Sequence, residues 1–157
     1  MILSTSRKPS SRTRTLCKHL SRFLNCDYVN RGKSSFEDIF GIYPCVPVLL
    51  IGESHGNPGS FDIFDQFGNY KLSVYMNVDY PQNFKSVNRK KEVPAVSGDN
   101  NIAKTIAKTL SFEYIENSGQ CNTRCISVDK DSIDFMDSGE LIFSFRIKSY
   151  RVLNDGV

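Results

Sequence analysis

The chain has 157 residues, a formal net charge of +3 and 39% apolar residues, with eleven Phe, seven Tyr and no Trp. That length fits one ordinary domain or two very small ones, and the composition excludes a wholly disordered chain. The longest apolar run, from Val46 to Ile51, is far short of the roughly 20 residues of a membrane helix. The first basic residues are not followed by the apolar core of a secretory leader, so a soluble, intracellular, cytoplasmic protein is expected.

The small net charge hides a strong polarity. The first 33 residues hold eight Lys/Arg and one acid, Asp27, for a formal charge of +7, while the remaining twelve bases and sixteen acids sum to −4. Asymmetry of this kind points to a polyanionic partner, with nucleic acid the first candidate. The five cysteines, Cys17, Cys26, Cys45, Cys121 and Cys125, are odd in number and scattered. They read as reduced thiols, and Cys121 and Cys125 lack the second Cys/His pair of a zinc site.

In chain order, Ile2–Thr5 is a short strand broken by Pro9, and Ser10 or Ser11 caps a helix over about residues 11–25. Leu16, Leu20, Phe23 and Leu24 share one face of that helix, with Arg14, Lys18 and Arg22 opposite at i, i+4, i+8. Residues 27–30 form a second short strand, Arg31-Gly32-Lys33 a turn, and 34–40 a short helix. Residues 46–53 read as a buried strand and 54–59, containing His-Gly-Asn-Pro-Gly, as a loop. Residues 60–65 and 70–80 alternate as a hairpin turned at Phe67-Gly68-Asn69. A polar connector follows, with Pro81, Pro94 and the basic run Arg89-Lys90-Lys91. After it come a helix over 100–111 and strands at 113–115, Arg124–Val128, Ser132–Asp137 and Glu140–Val152. Whether the last strand leaves an edge open for dimerisation is not readable from the pattern.

The order of elements repeats, and so do residues. Residues 16–29 align without a gap on 102–115, with Lys18/Lys104, Leu24/Leu110 and Tyr28/Tyr114 identical. Residues 60–65 resemble 132–137, and each is followed by a Gly and a long strand containing Ser73 or Ser144. Two matches in one order point to an internal duplication. The expected fold is α/β, two similar half-domains, with an N-terminal half of about 1–80, a connector of about 81–97 and a C-terminal half of about 98–157.

The chemistry of the first half centres on Arg7, Lys8, Arg12 and Arg14, at or before a helix N-terminus. That end already carries partial positive charge and unpaired backbone N–H groups, so cations there are unfavourable. A bound phosphate removes the conflict, accepting from the N–H groups and pairing with guanidinium. Arg31 and Lys33 join this cluster if the two short strands are parallel neighbours.

Other chemistries fit poorly. Gly32-Lys33-Ser34 looks like the tail of a phosphate-binding P-loop, but position 27 is Asp where the motif needs Gly. His19 is expected to be exposed beside the basic stripe, and no nucleophile and base can be read around His55. Asp129, Asp131, Asp134 and Asp137 read as turn and strand-face acids rather than a two-metal nuclease site. Phe61, Phe64, Tyr70 and Tyr75 are expected to pack rather than stack on bases. No enzyme, cofactor, metal or small-molecule substrate is expected.

The run from Ile2 to Ser10, Arg12-Thr13-Arg14, Tyr28-Val29-Asn30-Arg31-Gly32-Lys33, and Leu50-Ile51-Gly52-Glu53 followed by His55-Gly56-Asn57-Pro58 resemble the Brix domain family, most closely its compact archaeal members. The resemblance implies a ribosome-biogenesis factor that binds precursor rRNA and works with other ribosome-assembly proteins. It also implies two α/β halves, each related to the anticodon-binding domain of class IIa aminoacyl-tRNA synthetases. The RNA contacts of the family fall on Arg7, Lys8, Arg12, Arg14, Arg31 and Lys33, and helix geometry adds Lys18 and Arg22. The Gly-Pro-Thr segment common in eukaryotic members is missing, so a partner surface built on it is not expected. A tRNA-binding accessory module and a protein-interaction adaptor with an acidic partner remain the alternatives.

Overall fold

The helical spacing of Leu16, Leu20, Phe23 and Leu24 sets the architecture. All four are buried along one side of helix α1 (Ser11–Leu24), which lies across a mixed sheet. The structure, a computed structural model, describes residues 1–117, 119, 121 and 123–153, so the last four residues of the expected C-terminal half fall outside it. Ser10 caps α1, its hydroxyl accepting from the Thr13 N–H, and Asn25 ends it at φ 54°. Asn100 and Ser111 do the same for α3 (Asn101–Leu110), with Ser111 at φ 57°.

Ten strands among the described residues form one sheet. They are β1 (Ile2–Thr5), β2 (Asp27–Tyr28), β3 (Val48–Ser54), β4 (Asn57–Phe64), β5 (Tyr70–Asp79), β6 (Ala95–Ser97), β7 (Tyr114–Ile115), β8 (Arg124–Val128), β9 (Ser132–Asp137) and β10 (Glu140–Val152). Their order is β2-β1-β3-β4-β5-β10-β9-β8-β6-β7. β1 runs parallel to both β2 and β3, and β3, β4 and β5 form an antiparallel meander. The second set repeats this: β6 is parallel to β7 and β8, and β8, β9 and β10 form a meander. The seam is the antiparallel β5–β10 pair.

One hydrophobic core spans the seam. Phe23 of α1 meets Phe135 and Phe143, at centroid distances of 5.3 and 6.1 Å, and Phe61 meets Phe145 at 5.5 Å. On the opposite face of the sheet, α2 (Phe36–Ile42) packs Phe36 and Phe40 on Phe64. Alternation along β4 places Phe64 there, because its neighbours Phe61 and Ile63 face α1.

Several expected boundaries shift. The helix expected at 34–40 starts later because Ser35 is its cap, in a capping box with Asp38. The loop expected at 54–59 is a tight turn, with His55 and Gly56 both at positive φ, 53° and 78°. Two such residues match a type I′ hairpin, whose twist suits the flanking strands. Asn57, Pro58 and Gly59 therefore belong to β4, where a register shift opposite Gly52 and Glu53 makes room for Pro58. Residues 95–97, expected in the connector, form β6. The last strand is no edge: β10 is central, and the edges are β2 and β7, two residues each. Such short edges offer little template for another chain.

Candidate nucleic-acid interface

Parallel pairing of β1 with β2 and β3 sends three segments out at one sheet edge. Ser6 donates its N–H to Ile51 O at 3.1 Å, and Val29 donates to Leu3 O at 2.8 Å. The Ser4 hydroxyl donates to Val29 O at 2.8 Å. The turn after β2 is thereby held beside the loop after β1. Arg31 donates to Ser34 O at 3.0 Å and to Thr5 O at 3.4 Å. Its pKa is lowered, first by burial and then by the charge of Arg7, yet guanidinium stays protonated. Arg7, Lys8 and Lys33 are exposed around it, with Lys8 in left-handed backbone at φ 51°. The expected merger of the two basic clusters is thus present in the geometry.

The sequence expectation for the N-terminus of α1 fails in one respect: an anion is already there. Glu53, at the end of β3, accepts from the Ser10 N–H and from the Thr13 hydroxyl, the latter at 2.6 Å. Its carboxyl is held below the ordinary range, chiefly by the Thr13 hydrogen bond, with the Ser10 bonds and Arg14 adding to it. Ser10 Oγ also donates to Gly56 O at 2.8 Å, and Arg12 donates to Asn57 Oδ1 at 2.7 Å. The β3–β4 turn therefore fills the position assigned to phosphate. What remains available to a polyanion is the set of cations around it.

Along α1 those cations continue. Arg14, Lys18 and Arg22 are exposed, and Lys18 and Arg22 border a depression shared with Asp27, Tyr28, Tyr43 and Arg89. Arg89 was only part of a basic run in the sequence. It donates to Cys26 O at 2.8 Å and Asn25 Oδ1 at 3.2 Å, which pins the connector over the end of α1.

Arg124 is the residue that sequence reasoning missed. It is 4% exposed, and its guanidinium donates to Asp137 Oδ2 at 3.1 Å, to Arg22 O at 2.9 Å and to Asn88 O. It also lies 5.2 Å from the Phe23 ring centre. One side chain from β8 thus ties β9, the C-terminus of α1 and the connector. Its partners lie up to 102 residues away, and nothing local in the sequence marks it.

Three of the four acids considered for metal chemistry, Asp129, Asp134 and Asp137, have structural partners. Asp129 accepts from the N–H groups of Asp131 and Ser132, at 2.7 and 2.8 Å. Asp134 accepts from Ser144, and Asp137 is paired with Arg124 and Lys90. Among the described residues no three His, Cys, Asp or Glu side chains are placed to hold a metal, and no helix is long and apolar enough to cross a membrane. His19 is half-buried, not exposed. Its ring meets Phe84 edge-on at 4.8 Å, and burial followed by Arg22 lowers its pKa. Phe61 is buried as expected, whereas Tyr75 is 57% exposed.

No family model matches the chain. Among curated proteins it is 33% identical to a probable Brix domain-containing ribosomal biogenesis protein of Methanococcoides burtonii, covering 96% of each chain. The counterpart in Methanosarcina mazei is 32% identical, over 96% of this chain and 99% of that one. Among solved structures, Mil, an archaeal Imp4-like protein, superposes with a TM-score of 0.74 at 28% identity, covering 97% of this chain and 99% of that one. A probable ribosomal biogenesis protein of Aeropyrum pernix shares the fold, with a TM-score of 0.70 at 19% identity over 93% of each chain. The fold is therefore that of an Imp4-like α/β protein. The chain belongs to the archaeal Brix domain-containing ribosomal biogenesis proteins.

Proposed function

We propose that the chain is a non-enzymatic RNA-binding factor of ribosome biogenesis that holds precursor rRNA on its basic N-terminal edge and assists rRNA processing or assembly inside the cell. The observation that carries this is the convergence of Arg7 and Arg31 where β1 and β2 leave the sheet. Arg31 bonds the carbonyl of Thr5, two residues before Arg7; like charges brought together in this way disfavour one another, and a phosphate between them reverses the sign. On this reading Lys8 and Lys33, next to those two in the same loops, and the exposed Arg12, Arg14, Lys18 and Arg22 of α1 add further phosphate contacts. Phosphate contacts supply affinity, while RNA shape and partner assembly proteins supply the choice of site.

The same reading takes the molecule as an internal duplication of two units akin to the anticodon-binding domain of class IIa synthetases, about residues 1–80 and from β6 onward. The repeated strand pairing supports it. So does a repeated hydrogen bond: Ser73 to Asp62 and Ser144 to Asp134, each at 2.6 Å. The second unit, poorer in positive charge, serves as scaffold and as a docking face for other assembly proteins.

Crosslinking of the protein to RNA in its native cell, followed by sequencing, tests the function. Reads concentrated on precursor rRNA are expected. Reads concentrated on tRNA favour an accessory tRNA-binding module, and the absence of enrichment turns the basic edge toward an acidic protein partner.

A further inference from the structure

α1 has two polar flanks. One carries Arg14, Lys18 and Arg22. The other faces the start of the connector, where residues 80–84 turn back toward the helix, closed by the Phe84 N–H on Pro81 O at 2.9 Å. Between them runs a groove of about 720 Å³, within the roughly 300–1,000 Å³ typical of small-ligand sites. His19, Tyr80 and Phe84 form an aromatic wall. The Tyr80 and Phe84 rings lie 4.7 Å apart, and Phe84 lies 4.8 Å from His19. Tyr80 remains 42% exposed, which leaves ring surface to cover. Asn77 adds an amide side chain to the lining, and Arg12, also in the lining, is held at 2.7 Å by Asn57 Oδ1.

Resting on the RNA-binding reading above, we infer that this groove takes an unpaired nucleobase of the bound RNA strand, stacked on Tyr80, with the adjoining phosphate on Arg12. The chemistry selects that occupant. An aromatic wall offers a flat face to any base, and a side-chain amide can donate to and accept from a base edge. No acidic side chain lines the groove among the described residues, and Arg12, the one cation of the N-terminal edge that lines it, sits in the first turn of α1, so a strand that reaches Arg12 can turn one base inward. An apolar peptide side chain would fill the aromatic wall but would leave the guanidinium of Arg12 without an anion, whereas each base of an RNA strand brings its own phosphate. The groove gives the protein a way to distinguish single-stranded RNA from duplex, which phosphate contacts alone do not provide.

The test compares two 12-unit strands, oligoadenosine carrying 2-aminopurine at every third position and an abasic ribose-phosphate strand of equal charge. The wild-type chain is expected to bind the base-carrying strand about 5- to 100-fold more tightly, the scale of one stacked base, with 2-aminopurine fluorescence quenched. Tyr80→Ala is expected to abolish the preference and the quenching while leaving affinity for the abasic strand unchanged, and Tyr80→Phe to restore both. The unchanged abasic affinity also shows that Tyr80→Ala is folded. Equal affinity of the wild type for the two strands overturns the groove and leaves the RNA-binding reading standing. A preference that survives Tyr80→Ala places the stacking elsewhere and overturns it too. Binding to neither strand overturns the groove together with the reading on which it rests.

Discussion

Thr13 and Glu53, 40 residues apart in the chain, are joined by a hydrogen bond of 2.6 Å from hydroxyl to carboxylate. The bond brings a negative charge to the positive end of α1, where the same carboxylate also accepts from the backbone N–H of the cap residue, Ser10. It also locks the β3–β4 turn against the loop that carries Arg7 and Lys8. Glu53→Gln is expected to lower stability by roughly 0.5–2 kcal/mol, the scale of losing a helix cap. For a chain of this length that is a fall in Tm of about 2–4 °C per kcal/mol.

The acid dependence of that difference has a definite sign. The folded carboxyl of Glu53 lies below its ordinary value of 4.5. Its contribution is therefore fully present above about pH 4.5 and is lost as pH falls through the lower folded value. Thermal melts of wild type and Glu53→Gln at pH 7 and pH 3 check this. The gap in Tm narrows at pH 3, and a gap that holds constant removes the charge from the account.

Arg124→Ala is expected to be the more damaging substitution. It strips four acceptors of their donor at once, Asp137 and the carbonyls of Arg22, Phe23 and Asn88, and leaves Asp137 with Lys90, at 2.8 Å, as its remaining cation. Breaking a buried ion pair from one side costs about 3–5 kcal/mol. Arg124→Lys does not rescue it, because an ammonium group cannot meet the planar, divergent acceptors that the guanidinium serves. Urea unfolding reads the loss as a lower midpoint with an unchanged slope.

If the proposed RNA-binding function holds, the cations along α1 give it a salt signature. Each phosphate contact to single-stranded RNA contributes about 0.7 to the slope of log affinity against log salt. The triple variant Arg14→Ala/Lys18→Ala/Arg22→Ala is expected to lower that slope by about 2 while sparing the fold, since all three side chains are exposed. Fluorescence anisotropy with a precursor-rRNA fragment at four salt concentrations measures it. A slope equal to the wild type's removes these three residues from the interface.

The paired serines test the repeat. Ser73→Ala and Ser144→Ala each remove a 2.6 Å bond to a strand-face carboxylate, at a cost of about 1 kcal/mol apiece. Ser144→Ala is expected to cost at least as much, because Asp62 retains Tyr70 at 3.5 Å. Denaturant midpoints of the two single variants and the double decide it, and the two effects are expected to add.

Most elements were legible because their signals are local. The Leu16, Leu20, Leu24 spacing, the Ser10 cap and the alternation from Tyr70 onward each lie within a few residues of what they specify. β6 was not, since three residues beside Pro94 carry too little pattern and owe their strand to β8 and β7. The turn at His55-Gly56 looks like part of a loop because Pro58 argues against a strand, and only the extra residue in β4, Gly59, opposite Gly52 and Glu53 explains its place. In the candidate site, charge was legible and contact was not. The basic residues could be counted, and the parallel pairing that merges Arg31 with Arg7 followed from topology. Glu53 and Arg124 act on groups tens of residues away, so their roles appear only when the chain is folded.

The position of β10 has a kinetic consequence. The strand that comes last in sequence order among those described sits in the middle of the sheet, between β5 and β9. While the polypeptide is being synthesised, the first half emerges with β5 unpaired on one side and with Phe23 of α1 still lacking Phe135 and Phe143. Non-local pairing of this kind is slow and comes late. The positively charged end thus emerges before its support is complete, and the late β9–β10 hairpin brings both Phe135 and Phe143 to Phe23.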